Sequence, residues 1–164
     1  MGTDHDENAL PSRRNCPVGL AVDDRRFWRG DQDLQGIDVF SSGDARQTQY
    51  IDVDGSGGNS AGDKLIGFRV LEDANGEKVG ERYFTGMIHE VDAGGKEIAR
   101  TSEVVVVLKT GAIYATKERI KSEDLHAKII GGTGEFLEAT GREEVSRNGT
   151  SAVYHFRVNC PDAS

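Results

Sequence analysis

From residue 34 onward, glycine-bearing turns interrupt the chain every ten to twenty residues, and the stretches between them carry strand rather than helix patterning. The turns are Ser41-Ser42-Gly43-Asp44, the stretch Gly55 to Gly62, Asp73-Ala74-Asn75-Gly76, Asp92-Ala93-Gly94-Gly95, Thr110-Gly111, Gly131-Gly132-Thr133-Gly134 and Asn148-Gly149. A short segment, 34–40, leads in. Segment 47–54 then alternates, with Gln49, Ile51 and Val53 on one face and Tyr50, Asp52 and Asp54 on the other. Segments 64–72, 78–91, 97–109, 112–121, 125–130, 141–147 and 151–159 follow, and two of the turns are Asn-Gly, a strong hairpin signal. The pattern predicts about eight strands and no long helix.

Consecutive hairpins make a meander, and a meander of this size gains by closing, because closure removes exposed edges. The expected fold is all-β: a closed antiparallel eight-stranded β-barrel over 34–164, whose interior is wide enough for side chains or one small ligand. Hydrophobic residues make up only 36% of the chain, which suits sheets buried on one face. Residues 1–33 differ. They are rich in Asp and Arg and poor in apolar groups, which predicts a partly disordered N-terminal arm. Phe27 and Trp28 near its end make it a candidate lid.

The net charge is −8, which disfavours nucleic acid and anionic membranes as partners. No stretch has the length or apolarity of a membrane span or a signal peptide, so the expected location is cytoplasmic. In that setting the two cysteines, Cys16 and Cys160, are expected as free thiols. Asn148-Gly149-Thr150 reads as a hairpin tip rather than a glycosylation site.

The sharpest motif is Ile129-Ile130-Gly131-Gly132-Thr133-Gly134-Glu135-Phe136-Leu137-Glu138-Ala139-Thr140-Gly141. A dinucleotide fingerprint would need a third glycine where Leu137 stands and a helix after it, and Gly141 comes too soon for one. The bland reading is a barrel corner that needs positive φ. The motif resembles the signature of the allene oxide cyclase and dirigent superfamily. Gly62-Asp63-Lys64-Leu65 and Gly111-Ala112-Ile113-Tyr114 are similar to further elements of that superfamily, in the same order. The resemblance covers about two thirds of the chain. It implies small-molecule cyclases, among them bacterial spirotetronate-forming Diels–Alderases, that fold a flexible substrate before ring closure.

His5, His89, His126 and His155 are scattered and no Cys-x-x-Cys occurs, so neither a metal nor an organic cofactor is expected. Tyr50, Asp52 and Asp54 face the lumen in one register. In the other, Ile51 and Val53 are core and the acids meet water. The resemblance favours Asp52 or Asp54 as a lumen acid and Arg119 as a catalytic partner; a plain salt bridge of Arg119 with Glu118 or Glu103 is the alternative. Candidate substrate-binding residues are Tyr50, Phe68, Phe84, Met87, Tyr114 and Trp28. The expected function is a cofactor-independent intramolecular cyclase of natural-product, polyketide-like biosynthesis. It would template closure of a hydrophobic linear substrate in an apolar pocket with a few polar anchors. The alternative is a non-catalytic hydrophobic carrier. Residues 104–108 are apolar on both faces, which predicts a homodimer or homotrimer.

Overall fold

The computed structural model describes residues 35–41, 46–121, 123–124, 126–149 and 151–160. The strands are β1 (Gln35–Ser41), β2 (Arg46–Ile51), β3 (Lys64–Glu72), β4 (Lys78–Val91), β5 (Glu97–Leu108), β6 (Gly111–Ile120), β7 (Glu123–Asp124), β8 (Ala127–Gly132), β9 (Thr140–Asn148) and β10 (Ser151–Asn159). All pairings among the described residues are antiparallel.

Eight of these strands close a barrel in the order β1-β10-β9-β8-β6-β5-β4-β3, with Phe40 of β1 paired to Glu72 of β3 to seal the ring. β2 lies outside the ring order. It continues along the edge of β3, from Arg46↔Arg69 to Ile51↔Lys64, so β1 and β2 share that edge. β7 is a two-residue pairing on β6. Trp28 and the rest of the arm lie outside the described residues.

Alternation sorts the apolar strand β5. Val104, Val106 and Leu108 are buried inward, whereas Val107 on the outer face is 43% exposed. The core also takes Ile37 and Val39 of β1, Leu71 of β3, Ile113 and Ala115 of β6, Ile129 of β8, and Ala152, Tyr154, Phe156 and Val158 of β10. The glycine corner closes this end. Gly134 has φ +60°, and a Cβ there would lie 2.2 Å from the Thr110 carbonyl oxygen, so only glycine fits. A 3-10 turn over Gly134–Phe136 follows, not a helix, and places Phe136 wholly buried in the core.

Two local expectations need correction. The second strand ends at Ile51, not at residue 54, because Asp52 accepts the Gly55 amide at 2.6 Å and the Gly57 amide at 3.0 Å and curls the chain away. Cys160 is disulfide-bonded rather than a free thiol, and Cys16 is the only other cysteine in the chain. No helix among the described residues is long and apolar enough to cross a membrane.

Candidate functional site: a cation-walled barrel lumen

The inward side chains change character along each strand. On β5, Val104, Val106 and Leu108 give way to Ser102 and Arg100 toward its start; on β6, Ile113 and Ala115 give way to Lys117 and Arg119 toward its end. Because the two strands are antiparallel, the charged ends fall together, with Ser102 opposite Lys117 and Arg100 opposite Arg119. One end of the barrel is therefore a packed apolar core and the other a cavity of about 560 Å³. That volume lies within the usual range of small-molecule sites.

The cavity floor is an ion pair that crosses the barrel. Arg82 of β4 and Glu143 of β9 stand on opposite sides of the eight-stranded ring, with Nη2 and Oε1 2.9 Å apart and Nε donating to Oε1 at 3.1 Å. Both are buried, at 6% and 1% exposure. The Arg82 guanidinium also lies 4.8 Å from the Tyr154 ring centroid and 5.5 Å from that of Phe84, two cation–π contacts. Phe84 can lie there only because Gly67 faces it: a Cβ at Gly67 would fall 1.9 Å from Phe84 Cζ.

Among the described residues, seven cationic side chains line the cavity, Arg69, Arg82, Lys96, Arg100, Lys117, Arg119 and Arg147, against one carboxylate, Glu97. Like charges directly opposite on paired strands repel. Glu97 offsets this at Arg100 and Arg119: its Oε2 is 3.0 Å from Arg100 Nη1 and its Oε1 is 3.2 Å from Arg119 Nε. Apolar wall is supplied by Leu65, Phe84 and Val104. Thr48 adds a buried hydroxyl that meets no hydrogen-bond partner among the described residues.

The structure places the expected site residues as follows. Arg119 lines the cavity and pairs with Glu97, not with Glu118 or Glu103. Phe84 is in the wall and Tyr50, 59% exposed, is at the rim. Asp52 and Asp54 are exposed beyond the end of β2, outside the cavity lining. Ile51 and Val53 are not core residues either, so neither register expected for 47–54 holds throughout. Phe68, Met87 and Tyr114 have outward parity. Phe68 packs on Tyr83, at 5.2 Å between centroids, while Met87 and Tyr114 are 41% and 38% exposed. The pocket is not the apolar chamber with a few anchors that the resemblance implied. Sequence reasoning passed over Glu97, Arg69, Arg82, Arg100, Lys117 and Arg147. The available signal was parity: Arg69 shares a face with Leu65 and Leu71, and Arg82 with Phe84 and Ile88.

No family model matches the chain, and no curated protein matches its sequence. Solved structures do resemble it. A pyocyanin demethylase superposes with a TM-score of 0.61 at 20% identity, covering 76% of this chain and all of its own. The Diels–Alderase AbmU from Streptomyces koyangensis gives 0.59 at 12% identity, over 82% of this chain and 72% of its own. AbnU, an exo-specific intermolecular Diels–Alderase, gives 0.50 at 15% identity, over 76% of this chain and 97% of its own. At these identities the likeness establishes a shared barrel fold. The class that fold and site define is a closed antiparallel β-barrel with a cation-walled lumen.

Proposed function

We propose that the barrel is a small-molecule enzyme that binds a flexible organic anion in its lumen and closes a ring on it. The observation that carries this reading is the half-filled interior: a cavity of about 560 Å³, with seven basic residues around it, in a chain whose net charge is −8. A concave surface of one sign with low-dielectric walls concentrates ligands of the opposite sign. A carboxylate or similar group would dock on Arg100 and Arg119, and the hydrocarbon part would lie on Leu65, Phe84 and Val104. Ring closure within one molecule loses no atoms, and holding its ends together removes much of the entropic barrier. Glu97 takes the part of lumen acid that the resemblance gave to Asp52 or Asp54.

The neighbours support a barrel used for small-molecule chemistry, and two of them are named for cycloaddition. The third is named for a demethylation, so the fold does not dictate the reaction. Membership of the allene oxide cyclase and dirigent superfamily, a role for the arm (1–33) as lid, and a polyketide-like substrate are part of the same proposal. So is a second copy on the outer belt of Tyr83, Val107 and Tyr114, which light scattering of the purified chain would test.

The test is to incubate the protein with linear precursors that differ only in carrying a free acid or its methyl ester. Faster or more stereoselective closure of the acid than in buffer is expected, with loss of that gain in Arg119→Gln. Equal closure with and without protein across such precursors rules out the cyclase. Native mass spectrometry that shows an acid retained unchanged would favour the carrier.

A further inference from the structure

The loop between β2 and β3 gathers carboxylates that form no ion pair among the described residues. Asp52, Asp54 and Asp63 each offer an oxygen, and the three oxygens lie within 4.8 Å of one another. Asp63 is 3% exposed. It accepts the Val53 amide at 2.9 Å and the Ser60 amide at 2.8 Å, which shape the loop but leave the negative charges uncompensated. Buried charges are ordinarily paired or bound to metal.

A second observation points into the same space. Ser60 Oγ is buried and meets no hydrogen-bond partner among the described residues. The Ser60 backbone amide is the one Asp63 accepts at 2.8 Å, which seats the residue against the carboxylates. An unsatisfied hydroxyl beside a group of carboxylates lacks what a hard cation would supply.

The sequence carries a third. In the stretch 52–63, acids stand first, third and last, Ser56 is fifth, Gly57 sixth and Ser60 ninth. This is the spacing of a twelve-residue calcium loop, with a sharp turn at the sixth position, where Gly57 has φ +76°. It departs from that pattern in Ser56 at the fifth position and in Asp63 where glutamate is usual. The β2–β3 ladder holds the loop's ends together, since Ile51 pairs with Lys64.

We propose that residues 52–63 form a calcium site, with the carboxylates of Asp52, Asp54 and Asp63 and the Ser60 hydroxyl as ligands. An all-oxygen donor set suits Ca²⁺ and offers nothing to softer metals. The site touches the lumen without belonging to it. Asn59 lines the cavity, and the loop is tied to β4 by Gly62 N–H donating to the Ile88 carbonyl and Ile88 N–H to the Asp63 carbonyl, each at 2.8 Å. A bound ion would therefore fix the rim. The proposal stands whether or not the lumen is a cyclase site.

Calorimetric titration of the chelator-treated full chain with CaCl₂ tests it, with MgCl₂ as a second titrant. One ion per chain is expected, bound more tightly as Ca²⁺. A tenfold excess over Kd should raise the thermal midpoint by about 3–5 °C, reversibly with EGTA. Asp54 and Asp52 are exposed, so Asp54→Asn and Asp52→Asn should keep the fold by circular dichroism yet bind at least about tenfold more weakly, since each removes one charged ligand. No heat and no thermal shift up to about 10 mM Ca²⁺, beyond the weakest loops of this kind, would overturn the proposal. So would preference for Mg²⁺, or unchanged affinity in both folded variants.

Discussion

The two ends of the barrel interior are carried by the same strands yet built by opposite means. At one end, Val106 and Leu108 of β5, Ile113 of β6 and Phe136 of the glycine corner exclude water and fill the cylinder. At the other, Arg100 of β5 and Lys117 and Arg119 of β6 leave it hollow. Long cations cannot pack into a dry centre, so they keep the space open and set its sign. The contrast assigns stability to the apolar end and ligand binding to the charged end, with Arg82–Glu143 as the boundary.

That boundary is where the largest effect is expected. Glu143→Ala leaves Arg82 buried without its carboxylate, and loss of one partner of such a pair costs about 3–5 kcal/mol. Arg82→Met combined with Glu143→Leu removes both charges and should recover most of that loss, because apolar replacements of buried pairs are often neutral or stabilising. Urea unfolding of the single and double variants checks this. A double variant as unstable as Glu143→Ala would show that the pair is not the boundary's main support. Within the apolar end, Ile113→Val should cost about 1 kcal/mol by the same measurement, with ligand affinity unchanged.

The strand count and closure were legible because the turns announce themselves and because alternation requires a wet and a dry face. Lys64–Glu72, Lys78–Val91 and Ser151–Asn159 fall where the pattern puts them. The wall of the cavity was not legible. Arg69 and Arg82 have the parity of core residues, and a single sequence offers no reason to put an arginine inside until the opposing Glu143, some sixty residues away, is known. Asp52 and Asp54 misled for a local reason. Their carboxylates accept loop amides, so the strand ends before they reach the lumen. Only Gly76 of the Asn75-Gly76 pair has positive φ, +81°, so this hairpin turns on Asp73 and one glycine, not on the two-residue form that Asn-Gly suggests.

At the charged end the expected balance reverses. Arg119 is partly exposed and its partner Glu97 keeps Arg100, so Arg119→Gln should change stability by about 1 kcal/mol or less. Affinity for a carboxylate ligand should nevertheless fall at least about tenfold, since a charged hydrogen bond is lost from a site of low dielectric. Fluorescence or calorimetric titration with a medium-chain fatty acid and its methyl ester separates charge recognition from apolar binding. If acid and ester bind equally, the sign of the lumen has no part in recognition.

The smallest effect concerns neither interior end but the hairpin tips that hold the strands in register. Asp73 accepts the amides of Asn75 and Glu77 at 2.8 and 3.0 Å, and Asp92 those of Gly94 and Lys96 at 2.8 and 2.9 Å. These amide bonds, Glu77 foremost for Asp73 and Lys96 for Asp92, hold both carboxyls below the ordinary 3.8. A carboxyl whose pKa is lower folded than unfolded stabilises fully above the unfolded value, and that contribution is lost as pH falls through the folded one. The chain should therefore lose thermal stability as pH falls below the ordinary carboxylate value of 3.8. In Asp73→Ala or Asp92→Ala the midpoint should be lower at neutral pH and fall less steeply over that window. Both side chains are in water, so the change is expected to be slight, and a melt series at pH 7, 4 and 3 reads it directly. Parallel curves for variant and parent would mean that these amides bind the acid form as well as the anion, and the turns would then hold the strand ends by backbone geometry alone.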